Sequence, residues 1–129
     1  MIFSDSLKKY GDFQRVYHKG KSYANKYLIM YILEKDTQQN RIGISVSKKV
    51  GNSVVRHRIT RLIRESYRLN ESKFVRGLDL VVIARPGAKE KNFFDIESAL
   101  LHLGKLHSVL INNDNNKEEK SEEKEVKED

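Results

Sequence analysis

The chain has 129 residues, enough for one domain with a core of its own but not for two. Its 25 Lys+Arg against 18 Asp+Glu give a net charge of +7, and the excess is uneven: +11 over residues 1–111 (21 basic, 10 acidic) and −4 over residues 112–129 (4 basic, 8 acidic). That balance favours a nucleic acid over acidic small molecules; the lack of cysteine excludes disulfides and thiolate metal sites and fits a reducing cytoplasm, and no apolar run long enough to span a bilayer and no signal peptide points to a membrane.

The chain opens on a short loop. Asp12 can cap a short helix with Phe13, Val16 and Tyr17 on one face and Gly20 as its stop. At this spacing Phe13 and Tyr17 read first as plain core packing. Residues 21–35 carry Tyr23, Tyr27 and Tyr31 around an apolar run, which predicts a long, central strand, with an extra short strand possible near Tyr23. DTQQN, residues 36–40, reads as a polar hairpin loop into the next strand.

Residues 41–47 alternate, with Ile42, Ile44 and Val46 on one side and Arg41, Gly43, Ser45 and Ser47 on the other, the pattern of a half-buried strand. KKVGN, residues 48–52, is a tight basic turn. Asn52 or Ser53 then caps a helix running to about Leu69. At about 100° per residue, Val55, Ile59, Leu62, Ile63, Ser66 and Leu69 share one arc. His57, Arg58, Arg61, Arg64 and Arg68 fall on roughly the opposite arc with Glu65 the only acid among them, and Arg56 lies near the edge of the apolar face. The five arginines repel one another by a few tenths of a kcal/mol per i,i+3 or i,i+4 pair, and Arg56 and Arg58 lie near the positive end of the helix. A solvated face usually mixes signs. This one does not, and a phosphate-rich partner would relieve both costs.

After a polar connection, LDLVVIA (residues 78–84) reads as a buried strand ended by Arg85 and Pro86. Asn92 can cap a last helix with Asp95 in its first turn and Ile96, Leu100, Leu103, Leu106 and Leu110 on its core face. Residues 112–129 hold one apolar residue, Val126, and read as a disordered charged tail. The order α-β-β-(β)-α-β-α predicts an α+β, two-layer domain over residues 1–111, a small sheet packed with helices.

Protein-based catalysis has no visible seat. The histidines (18, 57, 102, 107) are scattered, no carboxylate cluster suggests a two-metal nuclease, and KKVGN has one glycine, too few for a phosphate loop. Asp79 reads as a strand-edge residue and Asp95 as a cap. His57, on a ring of arginines, reads more simply as a phosphate contact than as a general base. No catalytic and no metal-ligating residue is assigned.

The segment SVSKKVGNSVVRHRITRLIRESYR resembles the signature of the protein subunit of bacterial ribonuclease P, S-x-S-K-K-x-G-x-A-V-x-R-N-R-x-K-R-x-x-R-E, at Ser45, Ser47, Lys48, Lys49, Gly51, Val54, Arg56, Arg58, Arg61, Arg64 and Glu65. DFQRVYHKG upstream and DLVVIAR downstream are similar to that family in type and order, so the likeness covers roughly residues 8–108. His57, Thr60 and Ser53 depart from the usual Asn, Lys and Ala. The resemblance implies a mixed sheet with a left-handed β-α-β crossover, against the right-handed norm. It implies a subunit of a ribonucleoprotein endoribonuclease whose RNA is the catalyst, removing the 5′ leader from precursor tRNA. Lys48, Lys49, Asn52, Arg56, His57, Arg58, Arg61, Arg64 and Arg68 would then face the catalytic RNA. Phe13, Tyr17, Tyr31, Ser45 and Ser47 would line a cleft for the single-stranded leader, where stacking tolerates any base. Mg²⁺ would act with the RNA and no cofactor would bind the protein alone. The partners implied are the catalytic RNA and precursor tRNA, in the cytoplasm, with no membrane and no protein partner required. The rival reading is a generic RNA-binding module, such as a ribosomal protein on a similar small fold.

Overall fold

The computed structural model describes residues 1–111; the expectation of a disordered tail at 112–129 lies outside the described residues. In chain order the elements are β1 (Ser4–Ser6), α1 (Tyr10–Lys19), β2 (Lys21–Ala24), β3 (Leu28–Glu34), β4 (Asn40–Ser45), α2 (Ser53–Asn70), β5 (Leu78–Ala84) and α3 (Phe93–Leu106). The five strands form one mixed sheet in the order β1-β4-β5-β3-β2. β4 is parallel to both β1 and β5, while β3 is antiparallel to β5 and β2.

Several sequence expectations are corrected here. The opening loop contains β1. Residues 21–35 are not one long strand: the extra short strand expected near Tyr23 is β2, and the chain turns at Asn25, whose Oδ1 accepts from the backbone N–H of Tyr27 and Leu28. The second strand, β3, is interior, but β2 is the edge. Residues 36–40 do not join paired strands, because β5 lies between β3 and β4. β5 takes that place because it is apolar on both faces apart from the paired Asp79, with only Ile83 short of full burial. The 36–40 connection passes over the entry of β5, where Gly77 has φ +92° and a Cβ would lie 2.8 Å from the Thr37 carbonyl oxygen. Finally, α1 begins at Tyr10 behind Lys9, so Asp12 lies inside the first turn and is not its cap. Asp12 pairs instead with Arg15 and Arg41.

One face of the sheet presents Leu28, Met30, Ile32, Ile42, Leu80 and Val82 to α2 and α3. Ile59, Ile63 and Tyr67 of α2 and Ile96, Leu100 and Leu103 of α3 complete that core. Leu69, placed on the apolar arc by spacing, is 54% exposed, and Tyr67 is buried instead. The phenol explains the exchange: its oxygen bonds Ser4 Oγ at 2.8 Å and accepts from Asn40 Nδ2 at 3.2 Å, so it is buried with its polar end satisfied. Asn40 also donates to the Val75 carbonyl and accepts from Leu78 N–H, joining β4 to the entry of β5. Glu71 accepts from the backbone N–H of Ile2 and Phe3, which fastens the N-terminal strand. The other face of the sheet carries α1 over a smaller cluster of Leu7, Val16 and Val81. Asp95 and Asn92 form a reciprocal capping box on α3, as their spacing predicts.

Candidate nucleic-acid interface

Two surfaces are built by this fold. The first is the outer side of α2. Asn52 caps the helix, its Oδ1 accepting from Val55 N–H at 3.0 Å. Ser47 shapes the preceding turn by accepting from Lys49 N–H, so its hydroxyl is engaged locally. Lys48 and Lys49 lie exposed on that turn, and His57, Arg58, Arg61, Arg64 and Arg68 lie exposed along the helix. They are not equivalent. Arg68 pairs with Glu65, its Nε donating to Oε1 at 3.0 Å. The Arg68 hydrogen bonds lower the Glu65 carboxyl below its ordinary value, outweighing desolvation, and the charges of Arg68 and Arg61 add to the lowering. Arg58 donates from Nη1 and Nη2 to the carbonyl oxygens of Lys89 and Lys91. Arg56 is half-buried, and its Nε is buried without a hydrogen-bond partner. Arg61 and Arg64 form no ion pair among the described residues and present free guanidinium groups.

The second surface is the sheet face beside α1. Phe13 and Tyr17 project from α1, with ring centroids 6.4 Å apart, and Tyr17 meets Tyr31 of β3 edge-on at 5.0 Å. Burial, then the neighbouring Tyr31, raises the Tyr17 phenol above its ordinary value, so it stays neutral. Gly43 is what lets α1 sit close: a Cβ there would be 2.6 Å from Phe13 Cζ. Strand register sorts this face into rows. Gly43, Val81 and Tyr31 form one row, which α1 covers; Ser45, Ile83 and Ile29 form the next, which it leaves partly open. The structure therefore brings Phe13, Tyr17, Tyr31 and Ser45 together around an apolar floor, while Ser47 lies beyond the end of β4. Sequence reasoning missed Ile29 and Ile83. The available signal was period-two alternation, which puts them on the same face as Tyr31.

Beneath α1, Asp79 is fully buried and not at a strand edge: Lys35 lies 2.8 Å away and Arg41 makes two hydrogen bonds to it, with Asp12 on the far side of the guanidinium. Burial raises the Asp79 carboxyl, but the hydrogen bonds and charges of Arg41 and Lys35 prevail and hold it below its ordinary value. The network ties α1 to β4 and β5. His107, just after α3, donates from Nε2 to the Met30 carbonyl at 2.8 Å, and burial lowers its pKa. His102 bonds Asn25. Among the described residues no group of three His, Asp or Glu is placed to hold a metal ion, and no helix is long and apolar enough to cross a membrane.

The Ribonuclease P family model matches residues 3–107. The chain belongs to the ribonuclease P family. It is 62% identical over 107 residues to the ribonuclease P protein component of Lachnoclostridium phytofermentans, covering 83% of this chain and 92% of that one. To the same component from Alkaliphilus metalliredigens it is 59% identical over 103 residues, 80% of this chain and 93% of the other. The fold superposes on the RNase P protein of Staphylococcus aureus with a TM-score of 0.76 at 40% identity, covering 82% of this chain and 97% of that one. These likenesses favour a ribonuclease P protein subunit over a generic RNA-binding module, and tRNA processing as its setting.

Proposed function

We propose that the chain binds the catalytic RNA of ribonuclease P through the outer side of α2 and its preceding turn, and takes the 5′ leader of precursor tRNA onto the open row beside α1. The observation that carries this is the pair of surfaces itself. Arg61 and Arg64 form no ion pair among the described residues on one, and an apolar floor with aromatic walls lies open on the other. Phosphates suit the first and unpaired bases the second. Both converge on one end of the sheet, because Ser45 closes the open row and the chain then runs directly through Lys48 and Lys49 into α2. A leader in the cleft thus emerges beside the surface that holds the RNA catalyst.

In this reading the RNA performs the chemistry with Mg²⁺. Among the described residues no side-chain group fits a catalytic metal: Asp12 and Asp79 are spent on Arg15, Arg41 and Lys35, and arginines stay protonated and cannot act as bases. The protein's part is to neutralise phosphates, so that two polyanions meet at lower salt and lower Mg²⁺. It would act in the cytoplasm, where precursor tRNA is made in a bacterium.

The test is binding of the catalytic RNA as a function of salt. Neutralising about five phosphates gives a slope of log K on log salt of roughly −3 to −5. A slope near zero defeats the electrostatic reading. Tyr31→Ala separates the two surfaces: it weakens holoenzyme binding of leader-bearing tRNA and spares leaderless tRNA. Equal effects on both would place the leader elsewhere.

A further inference from the structure

Arg58 does not stand free on the α2 stripe. Its Nη2 donates to the Lys91 carbonyl at 2.6 Å and its Nη1 to the Lys89 carbonyl at 3.2 Å. The turn it grips follows β5: Ala88 N–H bonds the Arg85 carbonyl, Lys89 N–H that of Pro86 and Lys91 N–H that of Ala88. Arg85 holds the same turn from the other side, donating from Nη1 to the Asn25 carbonyl at 2.8 Å, while its backbone N–H bonds the Tyr27 carbonyl. The Lys91 ammonium lies 5.1 Å from the centre of the Tyr27 ring. Two arginines are therefore used up on backbone oxygens, and what they place is a group of lysines: Lys89 and Lys91 on the turn and Lys26 on the hairpin next to it. Lys26 and Lys89 are exposed, and none of the three forms an ion pair among the described residues. The nearby acids in sequence are Glu90, exposed on the turn, and Asp95, whose carboxylate is engaged in the α3 cap.

The geometry points to a second phosphate-binding surface for the catalytic RNA, formed by Lys26, Lys89 and Lys91, with Arg58 as the strut that positions it and not itself a phosphate contact. The inference rests on the reading of α2 as the RNA-binding helix. Arg58 lies one turn before Arg61 on the same stripe, so the turn extends the stripe beyond the helix start. The register puts this turn, the 25–27 turn and the basic 48–52 turn at one end of the sheet, since Leu28 pairs with Ala84 and Ser45 with Ile83. The exposed ammonium groups of Lys26 and Lys89 suit phosphates as point charges, with the Lys91 charge set beside them over the Tyr27 ring, whereas the Nη1–Nη2 edge of Arg58, which bidentate phosphate recognition would use, is occupied. A lysine at position 58 would keep the charge but could not span the two carbonyls with a planar fork.

The experiment measures catalytic-RNA affinity against salt for the full chain and five variants: Arg61→Ala, Lys89→Gln with Lys91→Gln, Arg58→Ala, Arg58→Lys, and Arg58→Ala combined with both lysine changes. The lysine pair is expected to lose affinity on the order of tenfold at 0.1 M salt and to flatten the slope by about 1 to 2. Arg58→Ala should do the same, Arg58→Lys should fail to rescue, and the triple variant should be no weaker than the lysine pair. The lysine pair alters only side chains not needed to form the turn, so it remains decisive if Arg58→Ala fails to fold. Full rescue by Arg58→Lys, or a further tenfold loss in the triple variant, would make Arg58 a phosphate contact and overturn the strut. An unchanged lysine pair, with Arg61→Ala still weakened, would remove the second surface and leave α2 standing. A flat salt slope for the unaltered chain would remove both.

Discussion

Replacing Gly43 by alanine tests the cleft at its tightest point. The added Cβ would lie 2.6 Å from Phe13 Cζ, 2.7 Å from Cε2 and 3.2 Å from Leu7 Cδ2. Carbon atoms rest about 3.5–4.0 Å apart, so the ring must retreat by about 1 Å. Overpacking of this kind costs about 1–3 kcal/mol. Phe13 is only partly buried and can yield toward solvent, which puts the cost near 1 kcal/mol and lowers Tm by about 4 °C. The retreating ring enters the space beside Tyr17 and Ile83. A base stacked there is worth about 1–3 kcal/mol; losing the lower figure weakens leader-bearing tRNA about fivefold. Thermal unfolding and holoenzyme binding of leader-bearing and leaderless tRNA measure the two effects, with catalytic-RNA affinity as the control. An unchanged Tm would refute the packing argument. A lowered Tm with leader affinity intact would show that Phe13 does not wall the leader site.

Asp79→Asn should cost about 2 kcal/mol, below the 3–5 kcal/mol for breaking a buried pair, because Lys35 and Arg41 retain 24% and 29% exposure; urea unfolding measures it. Since the Asp79 carboxyl is lowered in the fold, its contribution is complete above the unfolded value near 3.8 and is lost as pH falls through the folded value. The variant should therefore show a flatter acid limb, and an unchanged limb would show that the network carries little. His107 is lowered by burial, so its contribution is complete above about 6.5 and is lost as pH falls below that; His107→Gln should remove this step from the pH-dependence of Tm. Glu65→Gln releases Arg68 and should tighten catalytic RNA by about two- to fivefold with a slope steeper by up to about 1, read from the same salt titration.

The legible parts of this chain are those where one period or one cap decides. α2 and α3 carry their apolar arcs and their asparagine caps in plain view, and β5 declares itself by the apolar run from Leu80 to Ala84. The misread parts depend on partners distant in sequence. Nothing near Tyr67 announces that Ser4 and Asn40 will satisfy its hydroxyl, so spacing alone prefers Leu69. Asp79 looks like a strand-end carboxylate until Lys35, just past β3, and Arg41 of β4 converge on it. The 36–40 loop resembles a hairpin because pairing between neighbours in sequence is the common case, and only the two-sided burial of β5 displaces it. The basic stripe was legible in outline, but the division of labour within it was not. Arg58, Arg61 and Arg68 have the same side chain and neighbouring positions; a turn 31 residues away and Glu65 make them different.

The central position of β5 has a consequence for synthesis. Of the described strands it is the last to leave the ribosome, yet β3 and β4 have no other interior neighbour. Until residue 84 emerges, the nascent chain can hold only two detached fragments, the β2–β3 hairpin and the short β1–β4 pair. The arginine-rich helix, complete by Asn70, waits through that interval beside a half-built sheet, its apolar stripe without a floor and its cations available to any RNA within reach, the translating ribosome's included. Docking of one seven-residue strand then closes both halves together. Folding is thus a late, nearly all-or-none event governed by long-range closure, and a chain stopped short of β5 should yield no partly working fragment.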